Sequence, residues 1–282
     1  MTNSKVYTFE ASDYASIKSI QRDLISEKFS NTGFVLFTGF ENLESNLIDF
    51  TDQYTDRYAK DTNRREARLG NENIKNVDSG TNEIKLHSEA SFAPSWPEIL
   101  WFFCKSPCSN GGNTTFCNSL ELWKSLEKDT KSFFLGNPIK YLLSLPIDIR
   151  KKSKGKKRWF LEEIGASNVN INWETSSLEL ELLRFAVTEC RFSNKLSFSN
   201  HLLVDLESEP QILSRTLSNG QEIPADIMNE IKEKAAELTF ASNWKKGELV
   251  MLDNKRFLHG RESFETGSSR DIVLVQTLKT NL

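Results

Sequence analysis

The chain contains only three histidines, and two of them stand beside residues that could share a metal ion with them. Leu86-His87-Ser88-Glu89 sets an imidazole and a carboxylate two residues apart, and in extended backbone both side chains point to the same side. Leu258-His259-Gly260-Arg261 follows far downstream. Since 259 − 87 = 172 residues separate the two imidazoles, a shared site forms only once a complete domain has folded. Two imidazoles and one carboxylate on one face of an ion make the ligand set of non-heme Fe(II) oxygenases, which leaves the opposite face open for an oxidant and a co-substrate. The same residue types also make a catalytic zinc set, although the helical HExxH spacing is absent here.

Several elements must position these groups. Trp244-Lys245-Lys246-Gly247-Glu248-Leu249-Val250-Met251-Leu252-Asp253-Asn254 reads as a turn into an apolar strand that ends in a polar corner just ahead of His259. Gly111-Gly112-Asn113-Thr114-Thr115-Phe116 reads as a hairpin entering another strand. Ile17, Ile20, Leu24 and Ile25 recur at helical spacing and predict an amphipathic helix over 13–28, ahead of a strand at 33–40. Further helices are expected over 43–58, 120–131 and 224–238; the last opens on Pro224 and carries Ile227, Ile231, Ala235 and Leu238 on one face. Residues 61–84 are polar and run directly into the HxE element, so they read either as a lid over the metal, with 76–78 nearest a substrate, or as a surface loop.

The order of these pieces resembles the taurine/2-oxoglutarate dioxygenase superfamily, and most closely its clavaminate synthase-like branch. The resemblance runs from Gly33-Phe34-Val35-Leu36-Phe37 to the C-terminus. It takes in HxE with Ser91-Phe92 behind it, Pro97, the strand 99–104, the GGNT turn, Phe198-Ser199-Asn200, Asn219-Gly220-Gln221-Glu222-Ile223-Pro224, GELVMLDN, HGR and Arg270. It implies a mainly β fold with flanking helices, a double-stranded β-helix (a cupin-like jelly roll). It also implies Fe(II) held by His87, Glu89 and His259, with 2-oxoglutarate held by Thr114 and Arg270 and O2 as the other co-substrate. A planar, permanently charged guanidinium suits a carboxylate in a way that lysine does not. Asn76, Phe92, Asn200 and His201 are the candidate substrate contacts, with a core role as the other reading of His201. Arg261 should share a face with His259, and could instead pair with Glu248, Asp253 or Glu262 to support the ligands.

The implied reaction is oxidation of an unactivated C–H bond in a small molecule, with release of succinate and CO2. Iron halogenases of the superfamily lack the carboxylate ligand, so Glu89 points to hydroxylation, desaturation or cyclisation. Glutamate rather than aspartate at this position hints at an amino-acid-like substrate or natural-product precursor. The rivals are a zinc-dependent hydrolase using the same three residues and a non-catalytic binding protein of the fold.

Composition sets the remaining bounds. At 282 residues with 38% hydrophobic residues and 19 phenylalanines, the chain suits one catalytic domain over 1–282. A net charge of −3 argues against a nucleic-acid binder, and no apolar run or leader pattern indicates a membrane span or secretion, so a cytoplasmic enzyme is expected. Cys104, Cys108 and Cys117, with three and eight residues between them, match no zinc pattern, and together with Cys190 they read as buried thiols. The basic run 151–158 reads as a solvated loop; an acidic carrier protein is a possible partner but nothing else indicates one.

Overall fold

A computed structural model describes residues 6–59, 65–77, 80–93, 96–146 and 165–282. The basic run 151–158 and the Trp159-Phe160 pair lie outside the described residues. Two facing sheets form a jelly roll. In the larger, strands follow the order Tyr7–Glu10, Phe34–Thr38, Leu249–Asp253, Ile99–Ser106, Asp271–Thr280, Asn71–Asn76 and Ala67–Arg68, with Thr55–Tyr58 also paired to Asp271–Thr280. The smaller runs Thr239–Ala241, Thr114–Asn118, Phe257–Arg261 and Ile84–His87. A further four-stranded sheet, Ala166–Asn172, Ser177–Arg184, Ile139–Pro146 and Ile212–Leu217, packs with the helices Ser119–Ser125 and Ala225–Leu238.

Alternation along the central strands explains why their sequences are almost continuously apolar: both faces are covered. Leu100, Phe102 and Cys104 point between the two jelly-roll sheets, with Phe116, Leu252, Phe257 and Leu274. Their neighbours Ile99, Trp101 and Phe103 point outward onto Ile25 and Phe29 of the helix Arg22–Thr32, with Phe37, Met251 and Val273. The strands carrying His87 and His259 therefore face a sheet packed from both sides.

The structure corrects several element boundaries. The helix expected over 13–28 begins only at Arg22 and runs to Thr32; Ile17 and Ile20 are buried from a 3-10 turn and extended backbone, which satisfies the same apolar spacing without an α-helix. Of 43–58, only Leu47–Thr51 is α-helical, and Thr55–Tyr58 is a strand. The span 120–131 is split between Ser119–Ser125 and Lys128–Gly136, and Glu230 accepts from the Glu127 N–H at the second start. Within 61–84 the described residues include a hairpin, Ala67–Arg68 with Asn71–Asn76, that extends the larger sheet by pairing Val273 with Asn76. An edge hairpin that buries only Ile74 shows no apolar alternation, so its sequence reads as a loop. The helix at the far end, Ala225–Leu238 with Pro224 before it, matches the expected span, and Ile231 and Ala235 are its buried face. All four cysteines are free thiols; Cys108 is only half-buried, whereas the other three are buried.

Candidate metal centre

His87 and His259 meet because their strands pair antiparallel with these two residues directly opposite. Opposed residues of an antiparallel pair project from the same face with Cβ atoms about 5 Å apart, and here the ring centroids lie 4.4 Å apart. The third group arrives differently from the sequence expectation. The strand ends at His87, so Glu89 is delivered by a turn through Ala90, whose φ is 52°, and not by strand alternation. That turn is pinned by Asn254. Its Oδ1 accepts from the Glu89 N–H at 2.9 Å, and its Nδ2 donates to the carbonyls of Glu89 at 3.0 Å and Pro97 at 2.9 Å. Ser88 Oγ donates to the Asn254 carbonyl at 2.7 Å and accepts from Trp96 Nε1 at 2.9 Å.

The outcome is a compact donor set. Glu89 Oε2 lies 3.7 Å from His87 Nε2 and 3.8 Å from His259 Nε2, and the three ligand atoms all lie within 4.8 Å of one another. All three side chains are buried. His87 Nδ1 is 2.9 Å from the Lys85 carbonyl, which can only accept, so Nδ1 donates there and Nε2 is the nitrogen turned to Glu89. Burial would push the Glu89 carboxyl up, but the Arg65 guanidinium and the two imidazoles outweigh it and hold the group well below the usual carboxylate range. Two imidazole nitrogens and one ionised oxygen converging on one point fit a divalent transition metal.

A cleft opens from this centre between the two sheets. Phe102 and Leu274 line it from the larger sheet, Thr114, Gly260 and Arg261 from the smaller, and Arg65, Val77 and Arg270 stand around it. Arg270 Nε donates to the Gly112 carbonyl at 2.6 Å, and its Nη2 reaches Thr114 Oγ1 at 3.5 Å; Trp244 Nε1 donates to the same hydroxyl at 3.0 Å. The GGNT turn makes this possible, since a Cβ on Gly112 would sit 3.1 Å from Arg270 Cδ. Burial, with Arg261 nearby, lowers Arg270 to about 10, so it remains a cation at neutral pH. Arg261 lines the cleft and donates to the Asn82 carbonyl at 2.9 Å. The three acids considered as its partners are engaged elsewhere: Glu248 with Thr38, Asp253 with Cys190 and Glu262 with Asn113.

The four candidate substrate residues divide. Phe92 and His201 stack edge-on at 5.2 Å, and His201 is in turn edge-on to His87 at 5.1 Å, so His201 stands beside the centre, Phe92 lies one ring further out, and neither is among the residues lining the cleft. His201 Nε2 meets Glu209 Oε1 at 3.3 Å. Asn200 is occupied by backbone: its amide donates to Ala186, its Oδ1 caps the Leu202 N–H, and its carbonyl accepts from the Ser88 N–H. Asn76 pairs with Arg68 at the sheet edge, while the adjacent Val77 lines the cleft. Sequence reasoning missed Arg65 and the role of Asn254. The LDN corner carried a signal for Asn254, because a buried amide beside an apolar strand must find backbone partners. Arg65 lies in a polar stretch that marks no single residue.

A jelly roll in which buried His87, Glu89 and His259 converge beside a cleft bordered by Arg270 has the architecture of the cupin-like class. The chain belongs to the TauD/TfdA family: the model for the taurine catabolism dioxygenase TauD, TfdA family, matches residues 2–277. Similar in sequence are the dapdiamide synthesis protein DdaC of Enterobacter agglomerans, 21% identical over 95% of this chain and 89% of that protein, and the 3-((Z)-2-isocyanoethenyl)-1H-indole synthase of Fischerella ambigua, 24% identical over 69% of this chain and 63% of that protein. Similar in structure is the PvcB protein of Pseudomonas aeruginosa, at 14% identity over 93% of this chain and 81% of that one, with a TM-score of 0.60. A second PvcB structure, described as an Fe, alpha-ketoglutarate dependent oxygenase from an isonitrile synthetic pathway, matches at 14% identity over 96% and 85% with a TM-score of 0.58.

Proposed function

We propose that the protein is an Fe(II)- and 2-oxoglutarate-dependent oxygenase that oxidises an unactivated C–H bond of an amino-acid-derived small molecule. The observation that carries this is the pairing of the His87, Glu89 and His259 donor set with Arg270 and Thr114 in one cleft. A hydrolytic zinc site would need the three ligands but would leave a half-buried guanidinium and a buried hydroxyl without a use. His87, Glu89 and His259 hold the metal, and Arg270 with Thr114 takes the distal carboxylate of the keto acid. Bound together, Fe(II), 2-oxoglutarate and O2 supply oxidative decarboxylation to succinate and CO2 and the equivalents that oxidise the substrate. The chain's part is to orient and to exclude water: Phe102 and Leu274 give the cleft apolar walls, while Trp244 donates to the Thr114 oxygen and leaves its hydroxyl proton free to donate elsewhere.

An ionised Glu89 occupies the position that halogenases leave to chloride, which supports hydroxylation, desaturation or cyclisation. His201, packed against His87, and Phe92 behind it are the proposed contacts for the substrate, and Glu89 together with the likeness to DdaC, the indole synthase and PvcB supports its class. On this reading 1–282 acts as one cytoplasmic catalytic unit, with the hairpin region within 61–84 covering the cleft and a small molecule, not nucleic acid or membrane, as the partner. Among the described residues no helix is long and apolar enough to cross a membrane.

Anaerobic addition of Fe(II) and 2-oxoglutarate should give the visible charge-transfer band of a chelated keto acid, and His87→Ala should abolish it. Iron-loaded protein without such a band refutes the proposal. Succinate release screened over free amino acids and small natural-product precursors then identifies the substrate by the stimulation it causes.

A further inference from the structure

The two oxygens of Glu89 are not equivalent. Oε2 faces both imidazoles, at 3.7 and 3.8 Å from their Nε2 atoms. Oε1 is the oxygen farther from them and accepts the shorter bond from Arg65 Nη1, at 3.1 Å, while Nη2 of the same guanidinium donates more weakly to Oε2 at 3.4 Å. Both side chains are almost fully buried, at 7% and 8% exposure, so the pair is shielded from water and keeps a large share of its electrostatic strength.

We propose that Arg65 is a positioning residue that restricts Glu89 to one-oxygen ligation, holding Oε1 off the metal so that Oε2 alone binds it. The inference rests on the metal-centre reading above and deepens it. A carboxylate can bind a small divalent ion through one oxygen or both. In an octahedral ion, His87, His259 and one oxygen of Glu89 fill three of the six positions and leave three for a chelating keto acid and the oxidant. Two-oxygen ligation would leave only two, and the keto acid would take both. The guanidinium therefore guards the position on which the reaction depends, without touching substrate or metal. Its charge also repels the ion, so Arg65 sets coordination number at some cost in metal affinity.

The two effects separate in a metal-binding experiment that needs no turnover. Mn(II) alone is titrated into the protein, and water-proton relaxation counts the exchangeable waters on the bound ion. Wild type should keep three waters; Arg65→Leu and Arg65→Gln should keep two, with Mn(II) affinity equal to or tighter than wild type. Arg65→Lys, which still offers a cation to Oε1, should restore the third water. The same count in wild type, the leucine and the glutamine variants overturns the proposal. Weakened affinity at an unchanged count overturns it too, because that is the signature of a merely structural arginine. If wild-type protein takes up no Mn(II) that His87→Ala abolishes, the metal-centre reading itself fails, and that result is recognisable before any Arg65 variant is measured.

Discussion

Asn254→Ala should remove the turn that delivers Glu89, with consequences for both stability and metal binding. The side chain is fully buried and makes bonds to the Glu89 N–H, the Glu89 carbonyl, the Pro97 carbonyl and Ser88 Oγ. Alanine cannot replace any of them. Three backbone groups are then stranded in the interior, and at about 1–3 kcal/mol for each unsatisfied group the loss comes to roughly 3–9 kcal/mol. That is a large share of the ~5–15 kcal/mol that holds a typical domain together. Metal affinity should fall as well, because Glu89 sits beyond the end of its strand and has no ladder bond to fix it. Asn254→Asp keeps an acceptor for the Glu89 N–H but turns an oxygen toward two carbonyls, so it should also destabilise. Urea unfolding at constant m gives the stability change, and a Mn(II) titration under native conditions gives the affinity. A loss below about 1 kcal/mol together with unchanged Mn(II) affinity would refute the reasoning, and would mean that other contacts hold the Ser88-Glu89 turn.

Arg270→Leu should raise the 2-oxoglutarate requirement by more than tenfold, the ratio that corresponds to about 1.4 kcal/mol, with iron affinity little changed; equal loss of both would make Arg270 structural. Gly260→Ala should lose metal binding or fail to fold, because a Cβ there meets the Ile84 carbonyl oxygen at 2.5 Å and would wedge apart the strands carrying the two histidines; a soluble variant with wild-type Mn(II) uptake would contradict this. Asp253 gives a pH dependence. Burial raises it from 3.8 to about 6, so the folded state holds its proton more tightly than the unfolded chain. The stabilisation is complete below the ordinary value and is lost as pH rises through about 6, an effect of about 3 kcal/mol at about 1.4 kcal/mol per unit. Asp253→Asn should flatten the fall in urea midpoint between about pH 4 and pH 7 relative to wild type; parallel profiles would show that Asp253 does not titrate in this range.

The convergence of His87, Glu89 and His259 was legible from residue type taken with the family resemblance, because a chain with three histidines offers few ways to build a His-Glu-His set. Their delivery was less so. The HxE spacing suggests one strand with both groups on a face, whereas the strand stops at His87 and a hydrogen-bonded turn carries Glu89. Apolar spacing likewise predicts burial better than it predicts backbone: Ile17 and Ile20 are inside, yet not in an α-helix. Strong periodicity with a proline start, as over 224–238, left little room for error. Arg65 was invisible because its meaning depends on a partner brought to it by the fold.

The direct opposition of His87 and His259 makes a bound ion a reversible cross-link between chain segments 172 residues apart. Closing a loop of that length is entropically costly in the unfolded chain, and an ion bound only by the folded form resists its opening. At metal concentrations a hundredfold above the dissociation constant the gain is about 2.7 kcal/mol. On the proposed reading, metal supply would then bear on how long the folded chain persists, and it would act at the strand pair Ile84–His87 with Phe257–Arg261.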